Sequence, residues 1–321
     1  MRALVTGGTG FVGSHLLDVL VREGHEVRAL ARSAAKARAL GLQGVRWIEA
    51  GLDSETALTS AADSVDVVFH VAGLVAARSE AEFLAVNRDA TARLLRAAAP
   101  SGARFVLVSS LAAGGPSTPG VPLRGDEPPR PVTIYGRSKL AAEEIVREGP
   151  LPWTIIRPPT VYGPREREVL RIFRMARWGV VPAFGDGSQE LSLVFGPDLA
   201  AAMLRAALSE TAAGGIYYAA HREMLRSDDL VRAIGAAVGR RVRLLSIPPG
   251  MARGALAVTE GIARVFNRAT LLTTDKANEF LAQAWTCDPS ALERDTGWSA
   301  GTGLPEGLAR TVAWYREAGW L

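Results

Sequence analysis

The stretch Thr6-Gly7-Gly8-Thr9-Gly10-Phe11-Val12-Gly13 follows the apolar run Ala3-Leu4-Val5 and leads into a segment, 11–22, with helical spacing. Glycines at 7, 10 and 13 are what a strand-to-helix turn needs around a dinucleotide pyrophosphate. The first permits the tight turn, the second lets the backbone approach the phosphates, and the third lets the helix pack close to the strand. The helix N-terminus adds unpaired N–H groups and the positive end of its dipole. Gly7, Thr9, Gly10, Phe11, Val12 and Gly13 are therefore the candidate phosphate cradle. A glycine triplet alone is a weak signal, but the strand–turn–helix context makes it a strong one.

Outward from this turn the chain alternates two periods. Short apolar or β-branched runs at 3–5, 27–30, 45–48, 65–69, 105–108 and 154–156 are separated in part by helical stretches at 11–22, 81–99 and 135–147. That alternation predicts an α/β fold, a Rossmann-type doubly wound parallel sheet, joined to a smaller mixed C-terminal substrate domain. Residues 1–163, with a returning segment at about 191–220, are expected to form the dinucleotide-binding domain; 164–190 and 221–321 are expected to form the substrate domain. Asp198 is expected to cap a helix running to Leu208, and 216–219 reads as one more strand. Met251, Ala255, Val258, Ile262 and Val265 share one helical face opposite Arg253, Glu260, Arg264 and Asn267. Packing of that face on the small domain is the first expectation; a lid over an apolar substrate or a membrane-surface contact is the alternative.

The composition of the 321 residues, 48% hydrophobic and 22% charged, excludes disordered, collagen-like and coiled-coil classes. No apolar run approaches the ~18 residues of a membrane span, and no basic-then-apolar leader is read, so a cytoplasmic protein without an integral membrane segment is expected. One cysteine, Cys287, excludes an internal disulfide framework, and no His/Asp/Glu spacing suggests a metal. The net charge of +4 comes from scattered basic residues, so no nucleic-acid partner is expected. Of the 37 basic residues only Lys36, Lys139 and Lys276 are lysines, which singles out their positions.

The second run, Val27-Arg28-Ala29-Leu30, ends in Ala31, Arg32 and Ser33, with no carboxylate there for a ribose 2′-hydroxyl. A guanidinium at Arg32 suits a 2′-phosphate through bidentate charge-assisted bonds, so NADP (as NADPH) is favoured over NAD. Tyr135-Gly136-Arg137-Ser138-Lys139 places a phenol and an ammonium four residues apart on one helical face. A cation beside a tyrosine favours the phenolate and brings it toward useful acid–base chemistry. Ser109 and Ser110 end the fifth run, at the carboxyl edge where open α/β sheets place ligands, and one hydroxyl could orient a carbonyl.

Together the glycine turn, Ser110, Tyr135-x-x-x-Lys139 and Arg157-Pro158-Pro159-Thr160-Val161-Tyr162-Gly163-Pro164 resemble the extended short-chain dehydrogenase/reductase superfamily, the NAD-dependent epimerase/dehydratase family. The resemblance spans essentially the whole chain and is specific for fold and cofactor class, less so for substrate. It implies that Tyr135 is the proton donor or acceptor, that Lys139 holds the nicotinamide ribose and tunes the tyrosine, and that Ser110 rather than Ser109 positions the substrate oxygen. It further implies cofactor contacts at Leu52, at Val71, Ala72 and Gly73, at Asn87, and at Pro158 with Val161. A homodimer through the helices near 81–99 and 135–147 is expected on the same ground.

Departures from the family pattern narrow the chemistry. Ala50-Gly51-Leu52 lacks an aspartate that members often place beside adenine; Leu111-Ala112-Ala113 lacks the acids of sugar-nucleotide dehydratases; Thr160 and Glu190-Leu191-Ser192-Leu193 lack the asparagine and the diphosphate-gripping arginine usual in epimerases. The expected reaction is therefore reduction of a ketone or aldehyde on a small, largely apolar molecule, as in the dihydroflavonol-reductase and 3β-hydroxysteroid-dehydrogenase-like branch. An NAD-retaining nucleotide-sugar epimerase and a non-catalytic NADP-binding sensor or assembly protein are the alternatives. His70 and His15 are read as core histidines, and Trp314, Tyr315 and Trp320 as docking the last helix.

Overall fold

The chain forms β1 (Arg2–Thr6), β2 (Glu26–Ala31), β3 (Val45–Glu49), β4 (Val67–His70), β5 (Arg104–Val108), β6 (Trp153–Arg157), β7 (Thr160–Tyr162), β8 (Val180–Phe184), β9 (Glu190–Phe195), β10 (Ile216–Tyr218), β11 (Met224–Arg226), β12 (Arg243–Ile247) and β13 (Ala284–Trp285). The structure is a computed structural model that describes residues 1–321, the side chain of Phe184 excepted. Seven of these strands make one sheet in the order β10-β6-β5-β4-β1-β2-β3, and every neighbouring pair is parallel. The chain runs outward from β1 to β3 and then in the other direction from β4. The order reverses between β1 and β4, whose carboxyl ends, Thr6 beside His70, open the crevice where such sheets bind ligands.

Strand side chains alternate between two apolar layers, as a sheet covered on both faces requires. Ala3, Val5, Val27, Ala29, Val67, Phe69, Val106, Val108 and Ile156 pack with Leu16, Leu17, Leu20, Leu199 and Met203 from helices Phe11–Arg22 and Gly196–Leu208. Leu4, Leu30, Val68, Phe105, Leu107 and Ile155 face Leu58, Leu94, Leu95, Ala142 and Val146 from helices Glu55–Ala62, Ala90–Ala98 and Ile134–Glu148. Each fully buried side chain of this size contributes roughly 1.5–3 kcal/mol of transfer free energy.

A second, smaller assembly follows. β9 pairs with β7, β11 and β13, β8 pairs with β12, and helices Leu170–Arg177, Ser227–Ala237 and Leu304–Glu317 close on Phe173, Ile234, Leu308, Val312 and Tyr315. Tyr315 donates its hydroxyl to the Glu166 carbonyl at 2.8 Å, which fixes the last helix.

Three local expectations change. The helical stretch 81–99 is broken into Glu80–Leu84 and Ala90–Ala98 by a π-helical turn, Ala85–Asp89. Asp198 lies inside the first turn of its helix and accepts from the Thr302 N–H and hydroxyl, at 2.9 and 3.0 Å, instead of capping. In helix Pro249–Val265 the inward residues are Ala252 and Leu256. The stripe of Met251, Val258, Ile262 and Val265 points to solvent instead, against the expected packing of that face.

The glycine turn is set by close packing. Gly7 has φ +73°, and a β-carbon there would lie 2.6 Å from the Ala72 nitrogen. A β-carbon at Gly13 would overlap the Gly7 carbonyl oxygen, so the first helix starts hard against the turn. Gly13→Ala is expected to lower stability by about 1–3 kcal/mol in urea unfolding, the usual scale of overpacking; an unchanged midpoint would contradict this account.

Candidate active site

Tyr135, Lys139 and Glu143 lie four residues apart on helix Ile134–Glu148, so all three project from one face toward the sheet. Thr133 caps that helix, its hydroxyl oxygen accepting from the Gly136 N–H at 3.1 Å. The buried Lys139 ammonium donates to the Val108 carbonyl at the end of β5, at 2.7 Å. Ser109 and Ser110 follow β5 and diverge: the Ser109 hydroxyl donates to the Glu143 carboxylate, whereas Ser110 lies near enough to the Tyr135 phenol to favour its ionised form. Ser110 also accepts from the Ala112 N–H at 3.1 Å, which fixes its rotamer.

Behind this group lies a buried polar network. Arg157, at the end of β6, grips Glu143 with two hydrogen bonds of 2.9 and 2.6 Å. Its remaining nitrogen reaches the Tyr218 hydroxyl at 3.3 Å. The network ties β5, β6 and β10 to the helix that carries Tyr135. Glu143 is not among the residues expected at the site from the sequence; its signal there is a charge placed i+4 from Lys139 on an otherwise inward face.

Burial pushes the Tyr135 phenol up to about 12; neighbouring Ser110 opposes this and the charge of Glu279 adds to it. The depression by Lys139 expected from spacing alone does not prevail, because burial of the phenol is the largest effect on it. Burial lowers Lys139 itself to about 8, against the pull of Glu143.

The glycine turn meets the same edge. The Gly7 φ and its contact with Val71 and Ala72 bring the cradle and the segment after β4 together. Thr6 links them further: its hydroxyl oxygen accepts from the Ala72 N–H at 3.3 Å and contacts the His70 Nδ1 at 2.7 Å. His70 also meets the Thr91 hydroxyl at 2.8 Å, and burial holds it neutral, at about 3. Asn87, inside the π turn, clamps the segment: its carbonyl accepts from the Leu74 N–H at 2.8 Å, and its amide donates to Leu74 O and Ser138 Oγ at 3.1 and 2.9 Å. Gly73 lies between Asn87 and Lys139, since a β-carbon there would be 3.1 Å from the Asn87 Oδ1 and 3.5 Å from the Lys139 Nζ. Pro158 accepts from the Leu111 N–H at 2.8 Å, and Val161 pairs with Val194 in the small sheet. Phe11 turns its ring onto His15, 5.5 Å away, while Thr9 and Val12 stay half-buried at the turn. The first helix begins at Gly10 with no side-chain cap and no acid in its first turn, leaving its N–H donors for an anion. These features fit a dinucleotide.

Leu52 and Arg32 lie at the far end of the crevice. Leu52 packs beside the second apolar layer and its carbonyl accepts from Arg93 at 3.0 Å. Arg32 is exposed and makes no ion pair among the described residues. Its surroundings correct one expectation, since carboxylates do reach the end of β2 through the fold. Glu49 of β3 accepts from the Ala34 N–H at 3.2 Å, and Asp53 folds over Gly51 beside the Arg32 side chain.

A strap from the small domain covers Tyr135, and no spacing announced it. Lys276 Nζ stands 4.8 Å from the Tyr135 ring centroid and is ion-paired with Glu279. Glu279 in turn accepts from the Thr133 hydroxyl at 2.6 Å, and Asp275 accepts from the Ile134 N–H at 2.9 Å. The strap is held from behind by Glu260, which accepts from the Thr274 N–H and hydroxyl at 2.8 and 2.7 Å.

A parallel sheet with a glycine cradle at its switch point and a serine–tyrosine pair backed by a buried lysine defines an extended short-chain dehydrogenase/reductase-type enzyme dependent on NAD(P). The chain belongs to the NAD dependent epimerase/dehydratase family, whose model matches residues 3–220. It is 32% identical over 320 residues to a ceramide reductase of Caulobacter vibrioides, covering 99% of this chain and 95% of that one. It is 29% identical to a UDP-glucose 4-epimerase of Mycolicibacterium smegmatis, covering 99% of each. Among solved structures it resembles MoeE5 in complex with UDP-glucuronic acid and NAD, with a TM-score of 0.79, 26% identity, and 99% of this chain and 100% of that one covered. Relatives of both reductase and epimerase type support an oxidoreductase/epimerase chemistry with a nucleotide cofactor. Among the described residues no helix is long and apolar enough to cross a membrane.

Lys139 provides a pH test. Its folded-state value is lowered, so between about 8 and the ordinary lysine value the unfolded chain binds more protons and stability rises with pH. In urea unfolding the stability of the native protein relative to Lys139→Met should therefore increase from about pH 8 to about pH 10. A difference that stays flat would count against the buried position of this ammonium.

Proposed function

We propose that the protein reduces a ketone or aldehyde on a small, largely apolar molecule with NADPH, and runs in reverse as an alcohol dehydrogenase. The observation that carries this reading is the placement of Ser110 next to Tyr135 at the carboxyl edge of the sheet, with Lys139 one turn along the same helix held on the end of β5. Ser110 is followed by buried Leu111, Ala112 and Ala113, so no acid stands there to eliminate water. Ser192, where epimerases favour a nearby arginine, is buried and occupied with the Cys287 backbone, its hydroxyl oxygen accepting from that N–H at 3.0 Å. The relative named a ceramide reductase supports an apolar substrate class.

Gly7, Thr9, Gly10, Phe11, Val12 and Gly13 would hold the pyrophosphate, Leu52 the adenine, Val71, Ala72, Gly73 and Asn87 the central ribose, and Pro158 with Val161 the nicotinamide wall. The bound dinucleotide supplies or accepts the hydride. Tyr135 delivers the proton to the carbonyl oxygen: a phenol pushed up to about 12 is protonated at neutral pH, the form that reduction needs. Ser110 Oγ holds that oxygen, and Lys139, fixed on Val108 O, presents its charge to the ribose and the phenol. Arg32, free of ion pairs among the described residues, takes the 2′-phosphate.

The same reading divides the molecule as expected, with 1–163 and about 191–220 serving the dinucleotide and 164–190 with 221–321 selecting the substrate. It places the enzyme in the cytoplasm as a homodimer through the helices near 81–99 and 135–147. The UDP-glucose 4-epimerase relative favours a second reading, an NAD-retaining epimerase. The dinucleotide that copurifies decides between them: exchangeable and preferring NADPH for the reductase, tightly retained NAD for the epimerase.

Tyr135→Phe should keep dinucleotide affinity and lose at least ~10²-fold in kcat for carbonyl reduction, the scale of a lost general acid; unchanged turnover would remove Tyr135 from the mechanism. Arg32→Asp should shift the ratio of kcat/KM from NADPH toward NADH, and an unmoved ratio would end the argument for NADP.

A further inference from the structure

Helix Pro249–Val265 is attached to the small domain by a narrow face, Ala252 and Leu256. Its broad apolar stripe is unpartnered: Met251, Val258, Ile262, Val265 and the following Phe266 are between 55% and 82% exposed. The strand pair that leads into the helix continues this character. Val180 lies beside Arg243 and Pro182 beside Leu245, so these four share one face of the pair. Val180 and Leu245 are exposed there, and Trp178, just before β8, is 88% exposed.

Charge is concentrated in the same stretch of chain, and around a cavity that lies at the other end of the strand pair from the helix. Residues 240–272 hold six arginines and one glutamate, +5 in a chain whose total is +4, so everything else is net −1. That cavity, next to Trp178, has a volume of about 640 Å³ and is lined by Arg174, Arg177, Arg240 and Arg316, with Trp178 and Trp320 among its apolar walls. Arg174 donates to the Trp320 carbonyl at 3.2 and 3.1 Å. Arg177, Arg240 and Arg316 have no ion pair among the described residues, and no acidic side chain lines the cavity, whose wall also includes Leu321. Unpaired guanidiniums around a space of this size suit phosphate groups.

We propose that this face of the small domain docks on the surface of a bilayer containing anionic phospholipid, with the 251–266 stripe lying in the interface and the arginine cavity receiving a lipid phosphate. An apolar stripe backed by arginines on a 17-residue helix is the pattern of a helix that lies in a membrane interface. A second copy of the chain is a poorer occupant. A twofold contact through the patch would set arginines against arginines, whereas an anionic bilayer is complementary to both the stripe and the charge. The position also gives docking a use. Beyond the helix, Asn267 accepts from Arg78 of the segment after β4 at 3.3 Å, and Glu260 holds the strap over Tyr135. The docked helix thus roofs the cleft, and a carbonyl compound dissolved in the bilayer would meet the site there. This delivery, unlike the docking, rests on the carbonyl-reduction reading.

The test is co-sedimentation of the full chain with vesicles of phosphatidylcholine alone or mixed with phosphatidylglycerol, a readout that needs no turnover. Binding to the anionic vesicles that falls at high salt is expected. Val258→Ser/Ile262→Ser should weaken it about tenfold or more through lost apolar insertion, with an unchanged thermal midpoint because both side chains are exposed. Arg177→Gln/Arg240→Gln should reduce the preference for the anionic vesicles. Equal or absent binding to the two vesicle types would overturn the proposal. So would binding that the serine pair leaves unchanged, or a concentration-dependent dimer in sedimentation velocity that the serine pair abolishes.

Discussion

The ion pair between Glu143 and Arg157 is the contact on which the site depends. Both side chains are almost wholly buried, and two charges out of water are tolerated only with excellent geometry and further hydrogen bonds. Here both are present: a two-point grip from Arg157, the Ser109 hydroxyl on Glu143, and the Tyr218 hydroxyl on Arg157. Removing one partner of such a pair typically costs about 3–5 kcal/mol, because the other charge is left stranded. The pair acts as a register pin. With Glu143 locked to the end of β6, Lys139 and Tyr135 one and two turns earlier must point at the end of β5, where Ser110 stands. A helix held only by Ala142 and Val146 could rotate or slide with less penalty. Ser109 is part of that pin, which is why the adjacent serine, and not this one, is left to face the tyrosine.

A second constraint joins the two halves of the crevice. The missing side chains at Gly7 and Gly13 let β1, the first helix and the Val71–Gly73 segment approach to backbone contact. Asn87 then carries that position to the Tyr135 helix through Ser138. The π turn that holds Asn87 interrupts a helix that would otherwise have run on, and such turns often occur at functional sites. The glycine turn and Tyr135 are therefore parts of one connected polar frame, set on a sheet whose strands are buried on both faces.

The small domain contributes more than a wall. Its strap brings an ammonium, Lys276, to the face of the Tyr135 ring and binds the N-terminus of the same helix through Asp275 and Glu279. These contacts fix the position of the strap relative to the phenol. The helix that carries the exposed apolar stripe is tied to that strap by two hydrogen bonds that Glu260 accepts from Thr274.

By itself the sequence determined what local periodicity and spacing can encode. The strands of the large sheet alternate with helices, and burial on both faces writes near-continuous apolar runs such as Phe105-Val106-Leu107-Val108. The turn at 6–13 and the four-residue step from Tyr135 to Lys139 were legible because each is a rule about neighbours along the chain. Long-range geometry decided the rest. Whether Asp198 caps its helix depends on Thr302, a hundred positions on, and the pairing of Glu143 depends on where β6 lies. Carboxylates reach the end of β2 only because β3 pairs beside it. The amphipathic helix made the same point in reverse. Its apolar stripe was plain in the sequence, but which face turns inward depends on the surface the helix meets in the fold, and there Ala252 and Leu256 are the buried residues.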